Sequence, residues 1–397
     1  MVQSKTANKK PANTAFKQQR LKAWQPILTP KTVLPTFFAI GAIFVPLGIG
    51  LFMASEKVNQ VIFDYTACKD ITNSFDTNRI QNPPPFPITD WRFDTVSDVC
   101  TLRFDLPTDF KAPVFMYYRL TNFYQNHRRY VKSFDSAQLA GAVVPVDKLS
   151  VACDPLRQPT PNKKIGKSNV IIANGAQYYP CGLIANSLFT DRIQNPVLVS
   201  QNVADPLSST YEFSNQGIAW PADLQKFGPT KWNDTEYKDQ IPTMLIPPDQ
   251  WVEAFPEWEN GYNSTNLPNL QKWEAFQVWM RTAGLPNFRK LWGKNEVKDM
   301  VQGTYEISIT YKFDVQKFGG TKSVVISTIS FLGGKNPFLG IAYMTVGALC
   351  IILGIVFLIR HMIKPRKLGD HTYLSWNQPQ ADRGSLQGGQ DGNVVRS

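Results

Sequence analysis

The sequence predicts a membrane protein with two transmembrane α-helices. They flank a large exoplasmic, mainly antiparallel β domain, sandwich-like, with helical and loop insertions. Three observations carry that prediction. Residues 33–54 and 337–359 contain no Asp, Glu, Lys, Arg or His, and each run is long enough to cross a bilayer, which takes about 20 apolar residues. The net charge of +11 lies almost entirely outside the stretch between the two runs. Within that stretch, apolar residues recur with the period of two that marks a half-buried strand.

The charge sets the expected topology. Residues 1–32 carry Lys5, Lys9, Lys10, Lys17, Arg20, Lys22 and Lys31 and no acid, and residues 360–397 carry six bases against three acids. Residues 55–336 are nearly balanced, with 29 bases and 28 acids. Basic residues gather on the cytoplasmic side of a membrane, so both tails are expected there. Two spans also require both ends of the chain on one side. The near-neutral middle removes the case for nucleic acid as a partner, leaving membrane lipid. The first run is expected to be an uncleaved signal anchor. Its leader and apolar run are long for a signal peptide, and Phe52 before Met53 and Ala54 spoils a small-x-small cleavage pattern.

The expected organisation is therefore a basic cytoplasmic tail (1–32), a span (33–54), an exoplasmic disulfide-bonded β-rich domain (55–336), a second span (337–359) and a cytoplasmic tail (360–397). The last tail is Gly/Gln/Asp-rich from Gln378 and reads as largely disordered. A short helix is expected around residues 17–24, where lipid contact and partner contact are equally weighted. The compartment is a membrane of the endoplasmic reticulum, Golgi, endosome or cell surface.

Four cysteines, Cys68, Cys100, Cys153 and Cys181, fall in the exoplasmic stretch, and Cys350 falls inside the second span. An even count in an oxidising compartment reads as disulfides. Of three possible pairings, the preferred one joins neighbours and closes two loops of about 30 residues. Two sequons, at Asn233 and Asn263, are expected glycan sites given this topology.

Alternation marks strands over 100–106, 113–120, 304–313 and 323–331. Residues 270–283 predict a helix, because Trp273, Phe276, Trp279 and Met280 form one stripe and Gly284 and Pro286 stop it. Proline-rich stretches at 81–87 and 242–256 are expected as irregular loops. Trp220, Trp232, Trp251 and Trp258 are expected to pack such loops onto the sheets.

Catalytic chemistry is scarce. His127 is the one exoplasmic histidine and lies beside Arg128 and Arg129, whose charges disfavour an imidazolium. No spacing suits zinc, no phosphate-binding loop occurs, and no cofactor is expected. Glu253, Glu257 and Glu259 read as surface acids rather than a glycosidase pair. In the apolar runs, glycines recur at heptad spacing: Gly41 and Gly48 in the first, Gly340, Gly347 and Gly354 in the second. Seven residues is nearly two turns, so each set forms a small-residue face for helix packing. Such a face is expected to sit beside another membrane protein.

Several longer segments are distinctive. They include Thr14-Ala-Phe-Lys-Gln-Gln-Arg-Leu-Lys-Ala-Trp24, Asn122-Phe-Tyr-Gln-Asn-His-Arg-Arg-Tyr-Val131 and Tyr179-Pro-Cys-Gly-Leu-Ile-Ala-Asn-Ser-Leu188. Phe276-Gln-Val-Trp-Met-Arg281, Phe318-Gly-Gly-Thr-Lys322 and Leu332-Gly-Gly-Lys-Asn-Pro-Phe-Leu-Gly340 follow. On these segments the chain resembles the cell-division-control-protein-50 family, the β-subunits of phospholipid flippases. The resemblance implies a non-catalytic subunit of a type-IV P-type ATPase, needed for the partner's stability, export from the endoplasmic reticulum and activity. It also implies the pairs Cys68–Cys100 and Cys153–Cys181, in the four-cysteine pattern of fungal members. For Asn126, His127, Arg128, Arg129 and Tyr130, a buried polar network competes with a docking surface, and the network is preferred.

Two alternatives belong to other classes. A two-span ligand-gated channel subunit requires polar pore-lining residues, which the runs lack. An exoplasmic carbohydrate-binding protein requires tryptophans exposed on one platform.

Overall fold

The computed structural model describes residues 12–21, 29–70, 87–160, 164–165, 170–171, 175–199, 210–330 and 333–365. The expected disorder from Gln378 lies outside the described residues, as does most of the proline-rich stretch at 81–87. Of the helix expected at 17–24, residues 22–24 lie outside them too, and residues 17–21 do not form a helix: the chain makes a single turn, closed by Gln18 N–H to Thr14 O and Arg20 N–H to Ala15 O. The chain divides into two compact units, Met1–Met53 with Pro337–Ser397, and Ala54–Asn336.

The first unit is built on two long apolar helices, α1 (Pro30–Glu56) and α9 (Phe338–Ile363). Both outrun the apolar runs. At the start of α1, the Val33 N–H donates to the Thr29 carbonyl, and the Thr32 hydroxyl accepts from the Thr29 N–H. Pro30 fits the first helical position, where no N–H is needed. At the far end, α9 continues through Arg360, a cation that suits the negative end of a helix. Hydrophobicity ends where the bilayer would, but backbone hydrogen bonding does not.

Among the described residues the second unit holds two large antiparallel sheets and two two-stranded pairs. The first contains β1 (Gln60–Asp64), β4 (Val114–Leu120), β11 (Phe288–Asn295) and β13 (Lys322–Thr328), in the order β1-β13-β4-β11. The second contains β2 (Ile88–Asp94), β3 (Val99–Leu106), β8 (Arg192–Ile193), β9 (Val197–Leu198) and β12 (Gly303–Thr310). Its order is β2-β3-β12-β8, with β9 also on β12. The strand nearest α1 in sequence thus pairs with the strand nearest α9, Gln60 opposite Ser327 and Phe63 opposite Val324.

Alternation explains the core. In β3, Cys100, Leu102, Phe104 and Leu106 are buried; in β12, Tyr305, Ile307 and Ile309 are buried. Their side chains meet those of the first sheet: Phe63 stacks on Phe104 with ring centroids 4.6 Å apart, and Phe104 stacks on Tyr305 at 5.9 Å. Strand β13 lies between β1 and β4 and is buried almost throughout, as a central strand covered on both faces must be.

Three further expectations need correction. The strand expected to reach residue 313 ends at Thr310. Beyond it the Tyr311 N–H donates to Asp98 O, and the Lys312 and Phe313 N–H groups both donate to the Asp191 carboxylate, so a side chain replaces the ladder. The helix expected over 270–283 is shorter, α8 (Glu274–Met280). Gln277 Nε2 takes the carbonyls of Leu270 and Gln271, and Lys290 Nζ takes those of Val278, Trp279 and Arg281, so both flanks are held outside the helix. The stretch at 242–256 is not irregular: it forms α6 (Ile241–Met244) and α7 (Asp249–Ala254). Pro242 sits in the first turn of α6 and Pro248 caps α7, positions where a missing N–H costs nothing.

The smaller elements between the sheets are α2 (Arg128–Val131), α3 (Ser136–Leu139), the hairpin of β5 (Lys164–Ile165) and β6 (Val170–Ile171), β7 (Gln177–Tyr178), α4 (Leu183–Asn186), α5 (Pro221–Leu224) and β10 (Leu245–Ile246).

Candidate functional site

Four of the distinctive segments meet around Phe123. Its ring lies 5.7 Å from Trp279, 5.3 Å from Phe318 and 6.0 Å from Tyr130. Trp279 Nε1 donates to the Ile184 carbonyl at 2.7 Å, at the start of α4, and Tyr130 Oη shares a 2.7 Å hydrogen bond with Ser187 Oγ at its end. Thr121 and Thr321 share a hydroxyl hydrogen bond at 2.8 Å, and Asn122 Nδ2 donates to Phe318 O. Gly182 opens α4 with φ of +100°, where a β-carbon would strike the Ser133 carbonyl, so glycine is required there.

The segment from Asn126 to Tyr130 divides in two. Tyr130 faces inward, and burial pushes its hydroxyl up to about 12, against hydrogen bonds from Ser187 and Gln125. Asn126 Nδ2 donates to Gly284 O at 3.0 Å, and His127 caps α2 through Nδ1, which accepts from the Arg129 N–H. Arg128 and Arg129 are exposed, and among the described residues neither guanidinium has an ion-pair partner. Tyr124 and Leu285 are exposed close by, because the Phe123 N–H donates to Pro286 O and fixes the two loops together.

A second cluster was not legible in the sequence. Lys322 Nζ lies 2.6 Å from Asp191 Oδ2 with neither side chain exposed. Lys322 also donates to Phe313 O at 2.6 Å and sits 3.1 Å from the centroid of the Tyr311 ring. Tyr65 Oη donates to the same Asp191 oxygen at 2.8 Å. Burial pulls the Lys322 ammonium down to about 8, while Asp191 pulls the other way. Burial, then the Asp191 charge, pushes the Tyr65 hydroxyl well above its ordinary range. The sequence signal available was modest: a lysine and an aspartate inside otherwise apolar or tightly turned segments.

Disulfides join Cys68 to Cys100 and Cys153 to Cys181. The first ties the turn after β1 to β3. The second ties the turn at Val151–Cys153 to the residue before Gly182. Asn233 and Asn263 are both exposed. In the second sequon the Thr265 hydroxyl donates to Asn263 Oδ1 at 2.6 Å.

The five heptad glycines face one another across α1 and α9. A β-carbon at Gly48 would lie 2.7 Å from the Met344 nitrogen and 2.9 Å from the Gly340 carbonyl oxygen; one at Gly340 would lie 2.7 Å from the Phe52 nitrogen. Gly41 abuts Ile351, Gly347 lies over Val45, and Gly354 faces the Phe38 ring. The small-residue faces are therefore consumed within the chain, not presented to another membrane protein. Aromatic contacts flank them, Phe44 with Tyr343 and Phe37 with Phe357.

Among the described residues no group of three His, Cys, Asp or Glu converges as for a metal. Glu257 pairs with Arg192 at 2.9 Å. Of the eight tryptophans between the helices, Trp91, Trp232, Trp251, Trp258 and Trp279 are buried and Trp273 and Trp292 half-buried, so among the described residues the tryptophans form no exposed platform. Trp220 departs from its expected packing role. It is 62% exposed, with the Arg281 guanidinium 4.6 Å from its ring centroid.

Residues 51–367 match the LEM3 (ligand-effect modulator 3) family / CDC50 family. The chain belongs to this family. It is 38% identical over 390 residues to the phospholipid-transporting ATPase accessory subunit CRF1 of Saccharomyces cerevisiae, covering 94% of this chain and 91% of that protein. It is 37% identical over 402 residues to the phospholipid-transporting ATPase accessory subunit CDC50 of Chaetomium thermophilum, covering 94% and 93%. It is 41% identical over 360 residues to cell cycle control protein 50A of Mus musculus, covering 88% and 89%. The four segments around Phe123 all lie within the matched residues. Membership of the LEM3/CDC50 family fits two long apolar helices flanking an antiparallel β domain.

Proposed function

We propose that the protein is the non-catalytic accessory subunit of a phospholipid flippase. It grips a type-IV P-type ATPase that moves phospholipid from the exoplasmic to the cytoplasmic leaflet. The observation that carries this reading is end-to-end similarity to proteins named as phospholipid-transporting ATPase accessory subunits, two of them fungal at 37–38% identity. The geometry supports it. The two sheets share one aromatic and aliphatic core, tied by two disulfides, which gives a rigid domain. Differential binding is the work available to such a subunit: a rigid domain that fits one conformation of its partner better shifts the cycle toward it.

The topology belongs to the same proposal: residues 1–32 and 360–397 cytoplasmic, 33–54 and 337–359 in the membrane, 55–336 exoplasmic and glycosylated at Asn233 and Asn263. The charge of the tails, the two disulfides and the exposure of both asparagines support it. The compartments are the endoplasmic reticulum, Golgi, endosome or cell surface. Arg128 and Arg129, with exposed Tyr124 and Leu285 beside them, are the proposed docking surface. Arg and Tyr are the residue types that concentrate binding energy at interfaces. Asn126, His127 and Tyr130 hold that surface in place, and the five glycines pack the two spans.

The test is a mild-detergent pull-down of the tagged protein. A near-stoichiometric P-type ATPase that forms a phosphoenzyme with ATP is the expected result. Recovery of self-oligomers alone would overturn the proposal and favour a channel subunit.

A further inference from the structure

We infer that the glycan on Asn263 lays its first sugars in a cavity of the β domain beside its own loop. The cavity measures about 610 Å³ and lies among residues 188–195, the turn at 255–258, α8 and β11. Aromatic rings reach it from two clusters. Trp258 and Trp273 come from one, with ring centroids 5.7 Å apart, and Phe189 and Trp292 from the other, 6.3 Å apart. Trp292 is placed there by a bulge in β11. Leu291 lies opposite Tyr117 and Gly293 opposite Met116, so Trp292 has no partner in the ladder with β4. A bulge of this kind re-aims a side chain. Exposed Gln194 and Asn269 set the mouth of the cavity at the surface. Among the described residues, the Gln194 side-chain amide, Asn269 Nδ2 and the indole nitrogens of Trp273 and Trp292 make no hydrogen bond. Rings with amide and indole groups between them suit a pyranose. Its C–H face is apolar, and its hydroxyl and N-acetyl groups donate and accept.

Asn263 lies two hydrogen bonds from the lining. Its N–H donates to Asn266 Oδ1 at 2.7 Å; Asn266 Nδ2 donates to Glu257 O at 2.8 Å, and Asn266 O accepts from Trp258 Nε1 at 2.7 Å. Glu257 and Trp258 before the sequon, and Pro268 and Asn269 after it, all line the cavity. Asn263 Oδ1 accepts from the Thr265 hydroxyl and from the Thr265 and Asn266 N–H groups. That fixes the amide and leaves Nδ2, the atom that carries the sugar, without a hydrogen bond. A sugar arriving from solution finds rings that are buried or half-buried, too little face for strong binding. A glycan tethered at the rim needs far less intrinsic affinity, because attachment gives it a high effective concentration. The occupant is therefore the chain's own glycan. Asn233 is the natural comparison, since none of residues 230–238 lines the cavity. The inference rests on the exoplasmic, glycosylated reading of Asn263 and needs no ATPase.

The full-length protein is purified with high-mannose glycans. An endoglycosidase that cuts between the first two sugars is applied to native and to unfolded protein, and peptide mass spectrometry reads each asparagine separately. In the native protein, cleavage at Asn263 should be on the order of tenfold slower than at Asn233, the protection that one or two hydrogen bonds supply. After unfolding the two rates should be equal. Gln194→Ala with Asn269→Ala removes two exposed amides and should restore fast cleavage at Asn263 with little change in thermal unfolding. Ala275→Phe, which fills the cavity from α8, should do the same. An unoccupied Asn263 would overturn the glycosylated reading and the inference with it. An occupied Asn263 cleaved as fast as Asn233 would overturn the inference alone, as would slow cleavage that neither variant relieves.

Discussion

The ammonium of Lys322 and the carboxylate of Asp191 lie 2.6 Å apart, 131 residues apart in sequence, with no solvent-exposed surface on either side chain. The pair joins the first residue of β13 to the loop before β8, and through the other carboxylate oxygen it holds the backbone after β12. Removing one partner leaves a buried charge without its counter-ion, which costs about 3–5 kcal/mol. Lys322→Met and Asp191→Asn should each reduce the yield of folded protein and lower its melting temperature. The double change to Met and Leu should recover part of the loss. A double-mutant cycle by thermal unfolding checks this, and a double variant as poor as the sum of the singles would contradict it.

The glycine contacts predict a positional pattern. Gly340→Leu or Gly48→Leu must force the two helices apart against backbone atoms, at a cost of roughly 1–3 kcal/mol. Gly50→Ala adds a methyl group where nothing lies within 4 Å and should be silent. Cysteine cross-linking between α1 and α9 in membranes distinguishes the two classes.

Arg128→Glu with Arg129→Glu alters two exposed side chains without an ion pair. Melting of the β domain should hold within about 1 °C. Recovery of the co-purifying ATPase should fall at least tenfold if that surface docks the partner. An unchanged recovery moves the docking surface elsewhere.

Lys290 predicts a pH dependence. It is buried, donates to three carbonyls around the end of α8, and is pulled down to about 7, first by burial and then by Arg281. An unfolded lysine keeps its proton to about 10.4. Between pH 7 and 10 the unfolded chain therefore holds more protons than the folded one, and raising the pH favours folding. Thermal unfolding followed from pH 7 to 9 should show stability rising. In Lys290→Met the domain should be weaker overall and that slope flatter.

Loss of the Cys153–Cys181 bridge in Cys153→Ser should cost about 3 kcal/mol and retain the protein in the endoplasmic reticulum. Glycan trimming followed over time measures the retention.

What the sequence revealed follows from range. The runs at 33–54 and 337–359 and the alternation in 100–106 are local patterns, visible residue by residue. The ends of α8 were misplaced because Gln277 and Lys290 compete for its flanking carbonyls, and Lys290 lies ten residues beyond Met280. The Lys322–Asp191 pair joins distant segments and leaves no periodic trace. The glycine faces were legible as packing surfaces but not as surfaces for each other, since each span shows only its own stripe. Arg128 and Tyr130 were one motif in sequence; a turn of α2 sends one to solvent and the other to the core.

The pairing of Gln60–Asp64 with Lys322–Thr328 has a consequence for biosynthesis. Asn59 bonds Thr328 across 269 residues of chain. At about 5–20 residues per second, the first strand of the domain waits on the order of tens of seconds after emerging before its partner has been made. During that interval its edge is open, and the sheet is complete only when nearly the whole polypeptide has been synthesised. A nascent or truncated chain therefore presents an unpaired edge that only the last-made strand can close.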